Sequence, residues 1–265
     1  MKRALKNKKL LAGIGVVLVL ILGGWWWFGR GGEVETPRAE RPKQPVNVIP
    51  IEERPYVTLQ PLVGRNLLEV TIHTLPKEAE TVELILEYDR NKGVMDAVLY
   101  TYLLTSIPYT DEAFLGSKSA GGHTTYHDDV IGGMIVMNFE DSDYALEFPW
   151  RYIDSEDSYE QLSTTDGRFQ LVLEKPILKS KVIVMETSGL PSEVEGEFIA
   201  GPYFVSTVGD LPDTTASIQI RILEDSDSVT ILGWDGEEWV EYETSVDGKT
   251  VTAEGPLLST FVVVK

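Results

Sequence analysis

Two patterns of apolar residues divide the chain. Leu10 to Phe28 is a run of nineteen uncharged, mostly apolar residues, preceded by Lys2, Arg3, Lys6, Lys8 and Lys9 and closed by Arg30. A helix of that length, at roughly 1.5 Å per residue, is about 28 Å long, close to the roughly 30 Å hydrocarbon core of a bilayer. A basic flank of this kind stays in the cytoplasm. Residues 1–9 are therefore expected to form a cytoplasmic tail, residues 10–28 a transmembrane helix, and everything beyond to lie on the extracytoplasmic side. The run ends Gly23-Gly24-Trp25-Trp26-Trp27-Phe28, with bulky rings where a cleaved secretory signal carries small side chains. Indole rings favour the headgroup level, so these aromatics read as an interfacial belt and the run as a retained signal anchor of a single-pass cell-membrane protein.

Past residue 55 the pattern changes to short alternating or β-branched runs between turn residues. They fall at Leu68–Thr74, Thr81–Tyr88, Ala97–Thr105, Met134–Phe139, Tyr144–Phe148, Arg168–Glu174, Lys181–Thr187, Ser217–Leu223, Val229–Trp234, Trp239–Glu243, Thr250–Ala253 and Ser259–Lys265. Runs this short, without a 3.6-residue period, predict strands rather than helices. Only Ser155–Ser163 and Pro108–Leu115 are candidates for short helices. The predicted fold class is mainly β, with two antiparallel β-sandwich modules of jelly-roll or immunoglobulin-like type. The turn-rich segment Ser188–Gly201 places the boundary, giving a first sandwich over 56–198 and a smaller one over 201–265. One continuous sandwich is the alternative, because β domains reach about 200–250 residues.

Between span and body, residues 29–55 are rich in Gly, Pro and charge, with Pro37, Pro42, Pro45, Pro50 and Pro55 recurring. Proline fixes φ and removes a backbone donor, so this segment is expected to be an extended linker. Charge is split along the same division. Residues 1–50 carry nine Lys or Arg against three Asp or Glu, and residues 51–265 carry fourteen against thirty-nine. So acidic a body is repelled by nucleic acid, and no nucleic-acid partner is expected. The chain has no cysteine, which removes disulfides, thiolate metal sites and cysteine nucleophiles. It also has no Asn-x-Ser/Thr acceptor for N-glycosylation.

The C-terminal quarter carries a recognisable pattern. Gly201-Pro202-Tyr203 is followed by the alternating strand Ser217–Ile222, then Val229 to Trp239 with Trp234-Asp235-Gly236 at its turn, then Val246-Asp247-Gly248-Lys249-Thr250, then Ser259-Thr260-Phe261-Val262-Val263. This resembles the small Trp-containing β-sandwich modules that close many bacterial cell-surface proteins. The resemblance implies a structural or adhesive module and brings no catalytic residue. Asp235-Gly236 and Asp247-Gly248 are hairpin signals in their own right, since Gly takes φ > 0 without a steric penalty. Trp234 and Trp239 are expected to pack across that hairpin, the alternative being a pair of platforms for sugar rings.

Candidate chemistry lies in the first module. His123, His127, Asp128 and Asp129 place two imidazoles and two carboxylates within seven residues, a donor set suited to Zn²⁺. Gly121-Gly122 and Gly132-Gly133 frame the stretch as a loop. Asp89-Arg90-Asn91-Lys92-Gly93 resembles the start of a calcium loop without its distant bidentate Glu, and Glu140-Asp141-Ser142-Asp143 with Asp154, Glu156, Asp157 and Glu160 adds an acidic tract. Trp150 and Tyr152, with Tyr100 and Tyr102, are candidates to line a glycan groove. No Gly-x-Ser-x-Gly elbow, phosphate-binding Gly-x-x-x-x-Gly-Lys-Ser/Thr or His-Glu-x-x-His stretch occurs, and there are three histidines in all. The expectation is a surface protein acting in binding, adhesion or envelope organisation, held by Leu10–Phe28 and engaging an envelope protein or polysaccharide. The alternative is a glycan-binding or glycan-cleaving ectodomain that uses the first sandwich.

Overall fold

Alternation at period two shows directly in the structure, a computed structural model. It describes residues 44–265 apart from Arg65, Lys92, Ala120, Asp141, Lys179, Asp227 and the segments 76–78 and 155–157. The expected span Leu10–Phe28 and most of the linker lie outside these residues. No helix among the described residues is long and apolar enough to cross a membrane.

The described residues are mainly β and form four antiparallel sheets. A three-stranded sheet holds β1 (Val57–Pro61), β2 (Leu67–Ile72) and β5 (Tyr109–Phe114) in that order. A nine-stranded sheet begins with β4 (Val94–Leu103) at one edge, then β3 (Thr81–Arg90), β8 (Val130–Phe139), β9 (Ala145–Asp154) and β12 (Lys181–Glu186). It continues through β13 (Phe198–Thr207), β19 (Thr260–Val264) and β15 (Thr230–Trp234) to β16 (Trp239–Glu241). A five-stranded sheet runs β10 (Ser158–Ser163), β11 (Phe169–Leu178), β14 (Thr215–Arg221), β18 (Thr250–Pro256), β17 (Thr244–Asp247). A small hairpin pairs β6 (Gly116–Lys118) with β7 (Thr124–Tyr126).

The central strand β12 explains how these sheets stack. Val182 and Val184 belong to one buried cluster and Ile183 and Met185 to another, and all four are fully buried. Both faces of the strand are therefore covered, which is why it reads as a continuous apolar run. The three-stranded sheet covers one face of the long sheet, with Leu59, Leu68 and Ile72 packed among Leu84, Ile135 and Trp150. The five-stranded sheet covers the opposite face, with Phe169, Leu171 and Ile218 packed among Val184, Tyr203 and Phe261. A third, smaller cluster joins Leu190 to Val262 and Val264 with Ile51 and Val194 against them. The turn-rich stretch 187–197 is thus a cover on the sheet, and it falls between β12 and β13, which pair with each other from Val182↔Thr207 to Glu186↔Tyr203.

Three expectations change. Pro108–Leu115 and Ser155–Ser163 contain strands β5 and β10, not helices, because their apolar residues Ala113 and Leu162 are drawn into cores by pairing with β2 and β11. Gly132-Gly133 is not a loop frame but the start of β8, squeezed between neighbouring strands. A Cβ on Gly133 would lie 2.2 Å from the Glu87 carbonyl oxygen. Residues 44–55 of the expected linker run along the body. Asn47 N–H donates to the Ala145 carbonyl (3.0 Å) and Arg54 donates to the carbonyls of Ile49 (2.8 Å) and Asn47 (2.7 Å).

Candidate functional site

The β3–β4 hairpin sets the geometry of the predicted histidine–aspartate stretch. Its register places Tyr88 directly opposite Asp96, and Arg90 opposite Val94, the pair that flanks the turn. The β7–β8 connection then brings His127 and Asp129 onto this end of the hairpin. The Tyr88 hydroxyl is hydrogen-bonded to His127 Nδ1 at 3.0 Å, and the same nitrogen lies 3.4 Å from Asp96 Oδ2. Arg90 Nε donates to Asp129 Oδ1 at 2.6 Å, and its Nη1 reaches Asp96 Oδ2 at 3.5 Å. Burial, reinforced by the Asp96 charge, pushes the Tyr88 phenol up to about 12. The group therefore holds its hydroxyl proton, as a hydrogen-bond tie requires.

A second tie adjoins it. Asn66, buried after β1, donates its Nδ2–H to the His127 carbonyl. Its Oδ1 accepts from the Tyr152 hydroxyl and from Lys181 Nζ, each at 3.0 Å. Lys181 also donates to the Gly64 carbonyl at 2.8 Å and lies 3.8 Å from Asp154. Side chains on β3, β4, β9 and β12 and on two connections are thus joined at one end of the first core.

The structure accordingly separates the four predicted metal ligands. His127 and Asp129 belong to the cluster, but each is engaged by a protein partner. His123 is exposed on the β6–β7 hairpin, where its N–H donates to Ser119 Oγ at 3.2 Å, and Asp128 is exposed. Among the described residues no three His, Asp or Glu side chains gather to hold a metal ion. In the expected calcium loop Arg90 is turned to Asp129 and Asp96, and Asp89 is exposed. In the acidic tract, Ser142 closes the β8–β9 turn by donating to the carbonyls of Phe139 (3.0 Å) and Tyr144 (2.9 Å). Asp141, Glu156 and Asp157 lie outside the described residues.

The expected sugar-stacking pair is buried: Trp150 is 1% and Tyr152 3% exposed. Trp150 Nε1–H donates to the Glu87 carbonyl at 3.1 Å, so ring and polar handle are both used inside the core. Tyr102 is also buried, and its hydroxyl has no hydrogen-bond partner among the described residues. Trp234 and Trp239 face each other across the β15–β16 hairpin, ring centroids 5.3 Å apart and edge to face. Trp239 Nε1–H donates to the Glu193 carbonyl at 3.1 Å.

A different surface was not singled out by the sequence. Gln170, Gln219, Thr252 and Ser245 stand in register on β11, β14, β18 and β17, on the face of the five-stranded sheet turned away from its core. Neighbouring strands are about 4.8 Å apart, so the four form a regular row of uncharged hydroxyl and amide groups. A shallow depression of about 410 Å³ adjoins it, lined by Ser217, Glu243, Thr244, Ser245, Thr252, Ala253 and Glu254. No one strand reveals this row, since each contributes a single ordinary polar residue. No protein-family model matches the chain, and no curated protein and no solved structure shows significant similarity to it.

Proposed function

We propose that this chain is a membrane-anchored, extracytoplasmic binding protein that acts in adhesion or envelope organisation. In this reading Leu10–Phe28 holds it in the cell membrane and the acidic body faces outward as two β-sandwich modules sharing their longest sheet. The C-terminal part, with its Trp234–Trp239 hairpin, serves as a module of the kind that closes bacterial cell-surface proteins. The reading calls for no catalytic residue and for neither Ca²⁺ nor Zn²⁺.

The observation that carries it is the row Gln170–Gln219–Thr252–Ser245. A flat run of uncharged donors and acceptors on four adjacent strands suits a hydroxyl-rich, neutral polymer, and an envelope polysaccharide is the favoured partner over an envelope protein. Co-sedimentation of the purified full chain with insoluble envelope polysaccharide tests this. Retention is expected, and the double substitution Gln219→Ala/Thr252→Val is expected to weaken it by about tenfold, the effect of losing one or two good hydrogen bonds. Absence of retention, or equal retention of the double variant, contradicts the reading.

A further inference from the structure

We propose that β4 is a pairing edge through which two copies of this chain join antiparallel, continuing the nine-stranded sheet across a two-fold axis at Leu99. Open strand edges invite pairing, and proteins blunt them with short length, charge, bulges or covering groups. Most other edges among the described residues are blunted in one of these ways. At the far end of the same sheet, β16 has three residues and is flanked by Glu237, Glu238 and Glu243. In the five-stranded sheet, β10 is broken by a register shift between Tyr159 and Gln161, and β17 has four residues ending in Asp247. In the three-stranded sheet, β1 is tied by Gln60 Nε2 to the Gly209 carbonyl at 2.8 Å. The Tyr100 hydroxyl occupies β5 by accepting from Phe114 N–H at 2.9 Å.

By contrast β4 runs ten residues in unbroken register with β3, and among the described residues no strand pairs with its other side. Its outward row is Met95, Ala97, Leu99, Thr101 and Leu103, none of them charged. Met95 is 69%, Leu99 58% and Leu103 63% exposed. The row itself therefore carries no carboxylate to repel a second acidic copy.

The row also names its occupant, because it reads alike in both directions about its centre. Antiparallel pairing on a dyad at Leu99 sets Met95 opposite Leu103 of the second copy, Ala97 opposite Thr101, and Leu99 opposite itself. Large residues meet at the ends and centre and small ones between, so side chains fill the new face without collision or void. The nearest acids on this face, Glu83, Glu87 and Asp89, sit one strand further in, opposite Thr101, Ala97 and Met95. Across the proposed pair they are about 14 Å from their counterparts, three strand spacings, beyond the roughly 8–10 Å screening length at physiological salt. A single strand pair is a small interface, so micromolar association is expected rather than an obligate dimer.

Sedimentation of the purified full chain in mild detergent, at up to about 100 µM, reads the association. Dimer is expected, and Leu99→Lys, which sets two ammonium groups on the axis, is expected to weaken it at least about a hundredfold. Because the chain has no cysteine, disulfide trapping reads the register separately. Leu99→Cys is expected to yield a covalent dimer, Met95→Cys alone none, and the double substitution Met95→Cys/Leu103→Cys a covalent dimer again. The proposal is overturned if the wild-type chain is monomeric, or if Leu99→Lys dimerises as the wild type does. It is overturned equally if Met95→Cys alone cross-links as well as Leu99→Cys. Protection from hydrogen exchange, in a monomer, of those β4 amides that point away from β3 would assign the edge to another segment of the same chain and also overturn it.

Discussion

Glu186 ends β12 opposite Tyr203, beside the second core, and burial raises its carboxyl above the ordinary value of 4.5. Asp166 adds to the rise and Arg168 opposes it. A raised folded-state value means that the native state holds the proton more tightly than the unfolded chain. That contribution is fully present below pH 4.5 and is lost as the pH climbs through the folded-state value. Glu186→Gln keeps the shape of the neutral form, so thermal melting of this variant should exceed wild type by about 2–4 °C at pH 7. The advantage should vanish near pH 4; equal melting at both pH values would show that the carboxyl costs nothing. Side chains of this kind also mark how far the candidate site was legible. The grouping of His127 with Asp129 could be read from seven residues of sequence, because both stand in one short connection. Their partners Tyr88, Arg90 and Asp96 could not, since they meet the pair only through the hairpin register that sets Tyr88 opposite Asp96. Trp150 and Tyr152 alternate with Arg151 as a half-exposed strand would, but the overlying three-stranded sheet buries their face.

Strands were legible where alternation was clean, as in Thr81–Tyr88, and where both faces were apolar, as in β12. They were missed where local signals oppose tertiary pairing. β13 contains Gly201-Pro202, a pair that marks a break in most sequences, yet it runs in mid-sheet because a register shift between Ala200 and Tyr203 takes up the proline. Gly201 permits this with φ +102° and with the Phe261 carbonyl oxygen only 2.8 Å from where a Cβ would stand. Ser155–Ser163 and Pro108–Leu115 carry the Ser, Pro and acidic residues that open helices, but each strand gains more by placing Leu162 or Ala113 in a core. The shared strand β12 makes its own prediction. Val184→Ala empties space in one core and Met185→Ala in the other, each costing about 2–3 kcal/mol. Because both cores hang on the same hydrogen-bonded strand, each substitution should lower one common unfolding transition. Two separated transitions in calorimetry, with Val184→Ala moving only one of them, would mean that the cores unfold independently.

For the molecule as a whole, two features recur at every level: a charge division between a basic N-terminal stretch and an acidic body, and a long sheet that carries all the body's cores. The first was readable from composition alone. The second was not, because a sheet that exchanges its covered face midway leaves no mark in the local pattern, and the boundary signals at 188–201 come from a segment that packs onto the sheet. Together they describe an acidic body with a polar row on one sheet and, at one edge, a strand whose outward row is uncharged, which in the proposed reading an anchor presents. Orientation is the claim on which the rest depends. Protease added to intact cells, followed by separation of membranes from soluble material, measures it directly. The account predicts that the chain pellets with membranes through high-salt washing and that external protease removes the body, leaving a short membrane-held fragment that contains Leu10–Phe28. A chain that stays soluble after lysis, or one that remains protected until the cells are broken, would contradict it.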